Sequence, residues 1–178
     1  MCTLQRLVLV VAVLAAVLLA ACASPAETIF RIRPDAERNL LWMLDHQGVA
    51  IYNNTSGRLV QRIALPGWVV AGRQFGCPPD LALDSSGTAI VSSNVLPVLW
   101  RIEPVRFEVD QVALALDADQ DKDVGFSGLS FAPDGALVAV ASSLGSLWRI
   151  NLHAASAEKI RSFAPVRGAC EAAAVLGM

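Results

Sequence analysis

The tetrapeptide Leu-Trp-Arg-Ile occurs twice, at Leu99–Ile102 and at Leu147–Ile150, and a gapless shift of 48 residues aligns the sequence around it as well. Over Leu81–Ile102 and Leu129–Ile150 the same shift matches Leu81 with Leu129, Gly87 with Gly135 and Leu96 with Leu144. A fixed period of this length marks a chain built by stacking one supersecondary unit, because a single unit cannot bury its own apolar face. A third, looser copy lies upstream. Phe30–Asp35 parallels Leu129–Asp134, Leu40–Leu44 parallels Leu137–Ala141, and Ala50–Asn53 parallels Trp148–Asn151, with a slip of one or two residues.

Each copy reads as short strands separated by turn chemistry. In the last one, Gly128–Ala132, Leu137–Ser142, Ser146–Leu152 and Glu158–Phe163 are rich in Val, Leu, Ile and Trp, the residues that suit a pleated, half-buried surface. Between the first two strands, Pro133-Asp134-Gly135 supplies a fixed φ, a side chain that bonds its own backbone, and a residue free to take positive φ. No stretch after Ala26 carries a helical period. The expected fold class is therefore all-β.

Four strands in a repeat of about 40 to 50 residues is the arithmetic of a β-propeller blade. The succession of apolar strand, Pro-Asp-Gly turn and second apolar strand resembles that of the YVTN, NHL and related bacterial propellers, over roughly Ile29–Phe163. The resemblance implies about three four-stranded blades, near 28–72, 77–123 and 124–167, with 170–178 as one more inner-strand candidate. It carries no functional residues. Closed propellers typically have four to eight blades. Three therefore imply an incomplete ring, a truncated product, or a protomer that completes its ring with a second copy. A three-repeat twisted β-array is the alternative.

The chain of 178 residues has 54% apolar and 17% charged residues, which excludes a disordered or tail-like protein. Its formal charge of −2 and pI near 5.6 offer no basic surface for nucleic acid. The mean hydropathy, +0.51, is raised by one end. Between Met1 and Ala21 only Thr3, Gln5 and Arg6 are polar, and Leu7–Leu19 is an uninterrupted apolar run, too short for a membrane span of about 20 residues. Residues 1–21 are thus expected to be a signal helix. The sequence Leu19-Ala20-Ala21-Cys22 resembles the bacterial lipobox, which implies cleavage before Cys22, a thioether-linked diacylglycerol there, and a short tether over 22–27. Ala23 after that cysteine, by resemblance to enterobacterial lipoproteins, favours the outer membrane.

With Cys2 in the signal and Cys22 as the lipid site, Cys77 and Cys170 remain as an even pair in an oxidising compartment, and a disulfide between them is expected. Two separate buried thiols are the alternative.

Asp117, Asp119, Asp121 and Asp123 alternate along one segment, as in the start of a calcium loop, but Lys122 stands where an EF-hand needs Gly and Gly128 where it needs Glu. A solvated loop between blades explains the run more simply. His46 and His153 fall in different blades with no ligand spacing, and Cys77 and Cys170 lack a nearby base, so no catalytic residue is assigned. Trp100 and Trp148 recur in the repeat and read as packing, as does Trp42. Trp68, outside the repeat in Pro66-Gly67-Trp68, is the candidate exposed recognition aromatic.

The function expected is a lipid-anchored, non-enzymatic binding or scaffold module of the bacterial envelope. It would engage a protein, peptide or glycan, form a homodimer if the ring needs one, and require no cofactor. A calcium-dependent hydrolase of the lactonase or esterase kind, with calcium as its cofactor, is the alternative. A truncated propeller without independent activity is a third.

Overall fold

A computed structural model describes residues 28–72, 76–117 and 124–165. These form three sheets, antiparallel except for one short edge strand of the third, and no helix. The first blade contains β1 (Arg31–Asp35), β2 (Leu40–Asp45), β3 (Gly48–Asn53) and β4 (Leu59–Ile63). The second contains β5 (Leu81–Leu83), β6 (Ala89–Ser92), β7 (Val98–Ile102) and β8 (Val109–Ala113). The third contains β10 (Gly128–Phe131), β11 (Leu137–Ala141), β12 (Ser146–Asn151) and β13 (Ser156–Ser162). Within each blade the strands pair in sequence order, the meander of a propeller blade.

The 48-residue shift is a shift of equivalent places. Trp100 pairs with Val91 and Trp148 with Ala139, and β5 and β10 open into the same turn. Gly87 donates to Asp84 O and Gly135 to Ala132 O, with φ of 83° and 81°. An L side chain is strained there, which is why both copies keep glycine.

Alternation along the strands divides the core into two seams. Trp42, Leu44 and Ile51 of the first blade pack against Ala89, Val91, Trp100 and Ile102 of the second. From the second blade's opposite face, Ala82, Ile90 and Leu99 pack with Leu129, Ala139, Trp148 and Ile150 of the third. Strand β6 is buried at all four residues because a blade covers each face, so it reads as an apolar run rather than an alternation.

The registers correct one expectation and show one hairpin that differs between blades. In the first blade, Asp45 pairs with Gly48, so a two-residue hairpin replaces the four-residue turn of the third blade. Ala50 stands three residues before Asn53, as Trp148 stands three before Asn151, while Ile51 faces the first seam. Asp35 pairs with Leu40, as Phe131 pairs with Leu137, so Asp35 ends a strand whereas Asp134 lies inside a turn. The two Pro-Asp pairs share letters but not positions.

The third sheet also has a fifth strand. After β8 the chain crosses over, and β9 (Ala115–Leu116) pairs in parallel with Ser156–Ala157 of β13. Ala115 N donates to Ala155 O at 2.9 Å and Asp117 N to Ala157 O at 3.2 Å. This covers part of an outer edge that would otherwise offer free backbone groups. The signal, tether, Cys22, Cys170 and the strand expected over 170–178 lie outside the described residues.

Candidate functional site

The blades approach each other most closely along their first strands, β1, β5 and β10. Asp80, just before β5, sits where the three meet, with its side chain only 3% exposed. Its Oδ1 accepts from Arg31 Nε and, at 2.8 Å, from Leu81 N. Its Oδ2 accepts from Arg31 Nη2 at 3.1 Å and from Leu129 N at 2.9 Å. Asp80 N donates to Ser92 Oγ at 2.9 Å. A carboxylate has about four lone-pair sites. Here all are filled, by donors from three blades, and Arg31 supplies the compensating charge that a buried carboxylate requires.

Arg33 lies two residues along β1 on the same face as Arg31. Its Nη2 is 4.0 Å from Asp80 Oδ1, beyond hydrogen-bonding distance, and its side chain is 33% exposed. Burial lowers its guanidinium pKa, Asp80 raises it and Arg31 lowers it further. The group remains a cation at any ordinary pH.

On the same seam, Asp35 accepts from Arg38 N at 3.2 Å and pairs with Arg38 Nη1, while Arg38 Nη2 donates to Ser86 O across the seam at 2.6 Å. A cleft of about 290 Å³ opens beside them, lined by Asp35, Glu37, Arg38, Asp84 and Gly87. Within the first blade, Asp45 pairs with Arg62 at 2.8 Å. These groups tie turns and blades together; among the described residues Arg33 is left as an inner-strand cation without a hydrogen-bond acceptor.

Trp68 is not the free-standing aromatic the sequence suggests. It is half-buried, its ring meets Trp100 edge to face at 5.2 Å, and its Nε1 donates to His46 O at 3.1 Å. Both its apolar body and its polar handle are engaged inside the first seam. His46 itself packs on Phe30 at 4.5 Å, and His153 is exposed in the turn before β13. Trp42, Trp100 and Trp148 are all core residues.

Cys77 is buried, its N donates to Ser142 Oγ at 3.3 Å, and its carbonyl accepts from Asn94 Nδ2 at 3.1 Å. It thus lies at the second seam. Asp117 is exposed, and its Oδ1 accepts from Lys159 N at 3.0 Å. Asp119, Asp121 and Asp123 lie outside the described residues. Among the described residues no three His, Cys, Asp or Glu side chains stand together as metal ligands.

Sequence reasoning passed over Asp80 and Arg33. The alternate Arg31 and Arg33 on one strand were a signal in plain view, but only the correct register shows what they face.

The fold matches solved β-propeller-like proteins. Virginiamycin B lyase from Staphylococcus aureus, in a catalytically inactive form with quinupristin, superposes with a TM-score of 0.59 at 16% identity, over 80% of this chain and 44% of that one. The extracellular domain of a hybrid two-component system from B. thetaiotaomicron gives 0.54 at 21% identity, over 78% and 18%. Hydrazine synthase of Kuenenia stuttgartiensis gives 0.53 at 15% identity, over 83% and 40%. The chain thus spans less than half the length of these proteins, and the likeness is one of fold. No protein-family model and no curated protein matches the sequence.

Proposed function

We propose that the chain is a lipid-anchored protein of the bacterial envelope, acting as a non-enzymatic binding or scaffold module through its β-repeat surface. The observation that carries this reading is the use made of its buried carboxylates. Asp35, Asp45 and Asp80 are each bound by an arginine, Arg38, Arg62 and Arg31, so groups that a hydrolase would aim at substrate or metal act here as struts. The Leu19–Cys22 sequence supplies the anchor, and the periplasmic face of the outer membrane is the proposed location. The surface is suited to an envelope protein, peptide or glycan. Exposed Ile32, Leu59 and Val60 on the first blade would favour association with a second copy. A Cys77–Cys170 disulfide would fasten residues beyond the third blade to the second seam.

The test is in cells. The Cys22→Ser chain should lose palmitate incorporation and leave the membrane fraction; unchanged fractionation and mobility would overturn the anchor. Crosslinking of the anchored chain should trap one discrete partner or a homodimer. Calcium bound stoichiometrically to the purified full chain, through Asp117, Asp119, Asp121 and Asp123, would instead favour the calcium-dependent hydrolase.

A further inference from the structure

Arg33 sits on the face of the first blade that packs against the second. It pairs with Trp42, which is fully buried in the first seam and pairs in turn with Ile51. An arginine placed at this seam is partly desolvated, which is unfavourable for its charge.

The chain does not recover that cost within the described residues. Asp80, the nearest carboxylate, already has its lone pairs filled by Arg31, Leu81 N and Leu129 N. It stands 4.0 Å from Arg33 Nη2, and its single negative charge is shared by two guanidiniums. The cluster therefore carries one net positive charge on the innermost strand of the first blade. Arg31 is fixed by its two-point pairing with Asp80, and Arg33 keeps a planar fork of N–H donors directed to no acceptor among the described residues. Such a fork matches the two oxygens of a carboxylate or phosphate.

We propose that Arg33 is the anchor of an oxyanion-binding site at the inner edge of the first seam, taking the carboxylate or phosphate group of a ligand. Asp80 and Arg31 are its support: Asp80 orients Arg31, and Arg31 adds positive potential without spending donors on the ligand. This deepens the binding-module reading and rests on it only in that the ligand is held and not transformed.

The test uses the full chain purified in detergent, titrated with inorganic phosphate and separately with succinate at constant ionic strength, with chloride as the reference. The Arg33 Nε–H resonance should shift saturably with one or both oxyanions and not with chloride. Arg33→Gln should weaken binding at least tenfold, and Arg33→Lys by less, since the charge remains and the fork is lost. Circular dichroism and thermal unfolding of Arg33→Gln without ligand should match or exceed the parent, because an under-compensated cation has been removed from the seam. The stronger of the two probes identifies the natural group as carboxylate or phosphate. An unshifted Arg33 resonance, or equal affinity in Arg33→Gln, would overturn the proposal. Turnover of a bound ligand would overturn the non-enzymatic reading and leave the Arg33 site standing.

Discussion

Phe107 of the second blade meets Trp42 of the first edge to face across the seam, with ring centroids 5.9 Å apart. Phe107 holds φ at 57°, a left-handed conformation that costs a bulky residue roughly 1–2 kcal/mol. The turn before it fixes that conformation. Phe107 N donates to Glu103 O, and the Glu103 carboxylate accepts from Val105 N at 3.0 Å and Arg106 N at 2.6 Å. The same turn closes the third hairpin of every blade. Asn53, Glu103 and Asn151 each offer a side-chain oxygen to the N–H three residues on, and Gly57, Phe107 and Ala155 each take positive φ four residues on.

Gly57 and Ala155 should therefore respond oppositely to exchange. Ala155→Gly is expected to stabilise the chain by up to about 1 kcal/mol, and Gly57→Ala to destabilise it by about 1–2 kcal/mol. Urea denaturation of the two variants reads the signs.

The Glu103 carboxyl is held below the usual glutamate range, first by the hydrogen bond from Arg106 N and then by that from Val105 N, against the opposing effect of desolvation. Because the folded value is depressed, its contribution to stability is present above the ordinary glutamate pKa and is lost as pH falls through the lower folded value. A side-chain carbon NMR titration should place the Glu103 midpoint below that of an unstructured glutamate. Glu103→Gln should flatten the acid limb of the stability curve.

Trp148 fills the second seam, between Phe126 at 6.1 Å and the Lys159 ammonium at 5.9 Å from its ring. Trp148→Ala should cost about 3–5 kcal/mol, the range for emptying a large aromatic site in a core. Trp68→Ala, at a half-buried position, should cost distinctly less. Chemical denaturation of both in parallel checks the order.

Asp80→Ala would leave the backbone N–H groups of Leu81 and Leu129 without their acceptor and Arg31 without its counter-ion. Breaking one side of a buried pair costs about 3–5 kcal/mol, and the part-exposure of Arg31 places the expected loss near the lower end. Asp80→Asn should recover only part, since the amide can accept through one oxygen. Thermal unfolding ranks the three chains.

The strands were legible because the repeat carries its own proof: Leu99–Ile102 and Leu147–Ile150 differ in place but not in letters, and alternation assigns their faces. The first blade was legible only to within a slip, because its hairpin at His46 and Gln47 is two residues long where the third blade's is four. The shared turn at Asn53, Glu103 and Asn151 escaped reading because the repeat conserves an oxygen acceptor and not a residue type. Trp68 lies outside the repeat, and nothing in a period can say that Trp100 receives it. Arg33 was hidden because its meaning lies in Asp80, a residue outside its own blade.

The crossover strand β9 ties the fate of one blade to the chain segment leaving another. Ala115 and Asp117 belong to the sequence that follows the second blade, yet their amide protons are held by carbonyls of the third. They should exchange with solvent only when the outer strand of the third blade detaches, however firmly the second blade holds. The third blade cannot open at its outer edge without freeing this link, so a loss of protection that begins at Ser156–Ala157 will be recorded some forty residues earlier in the sequence.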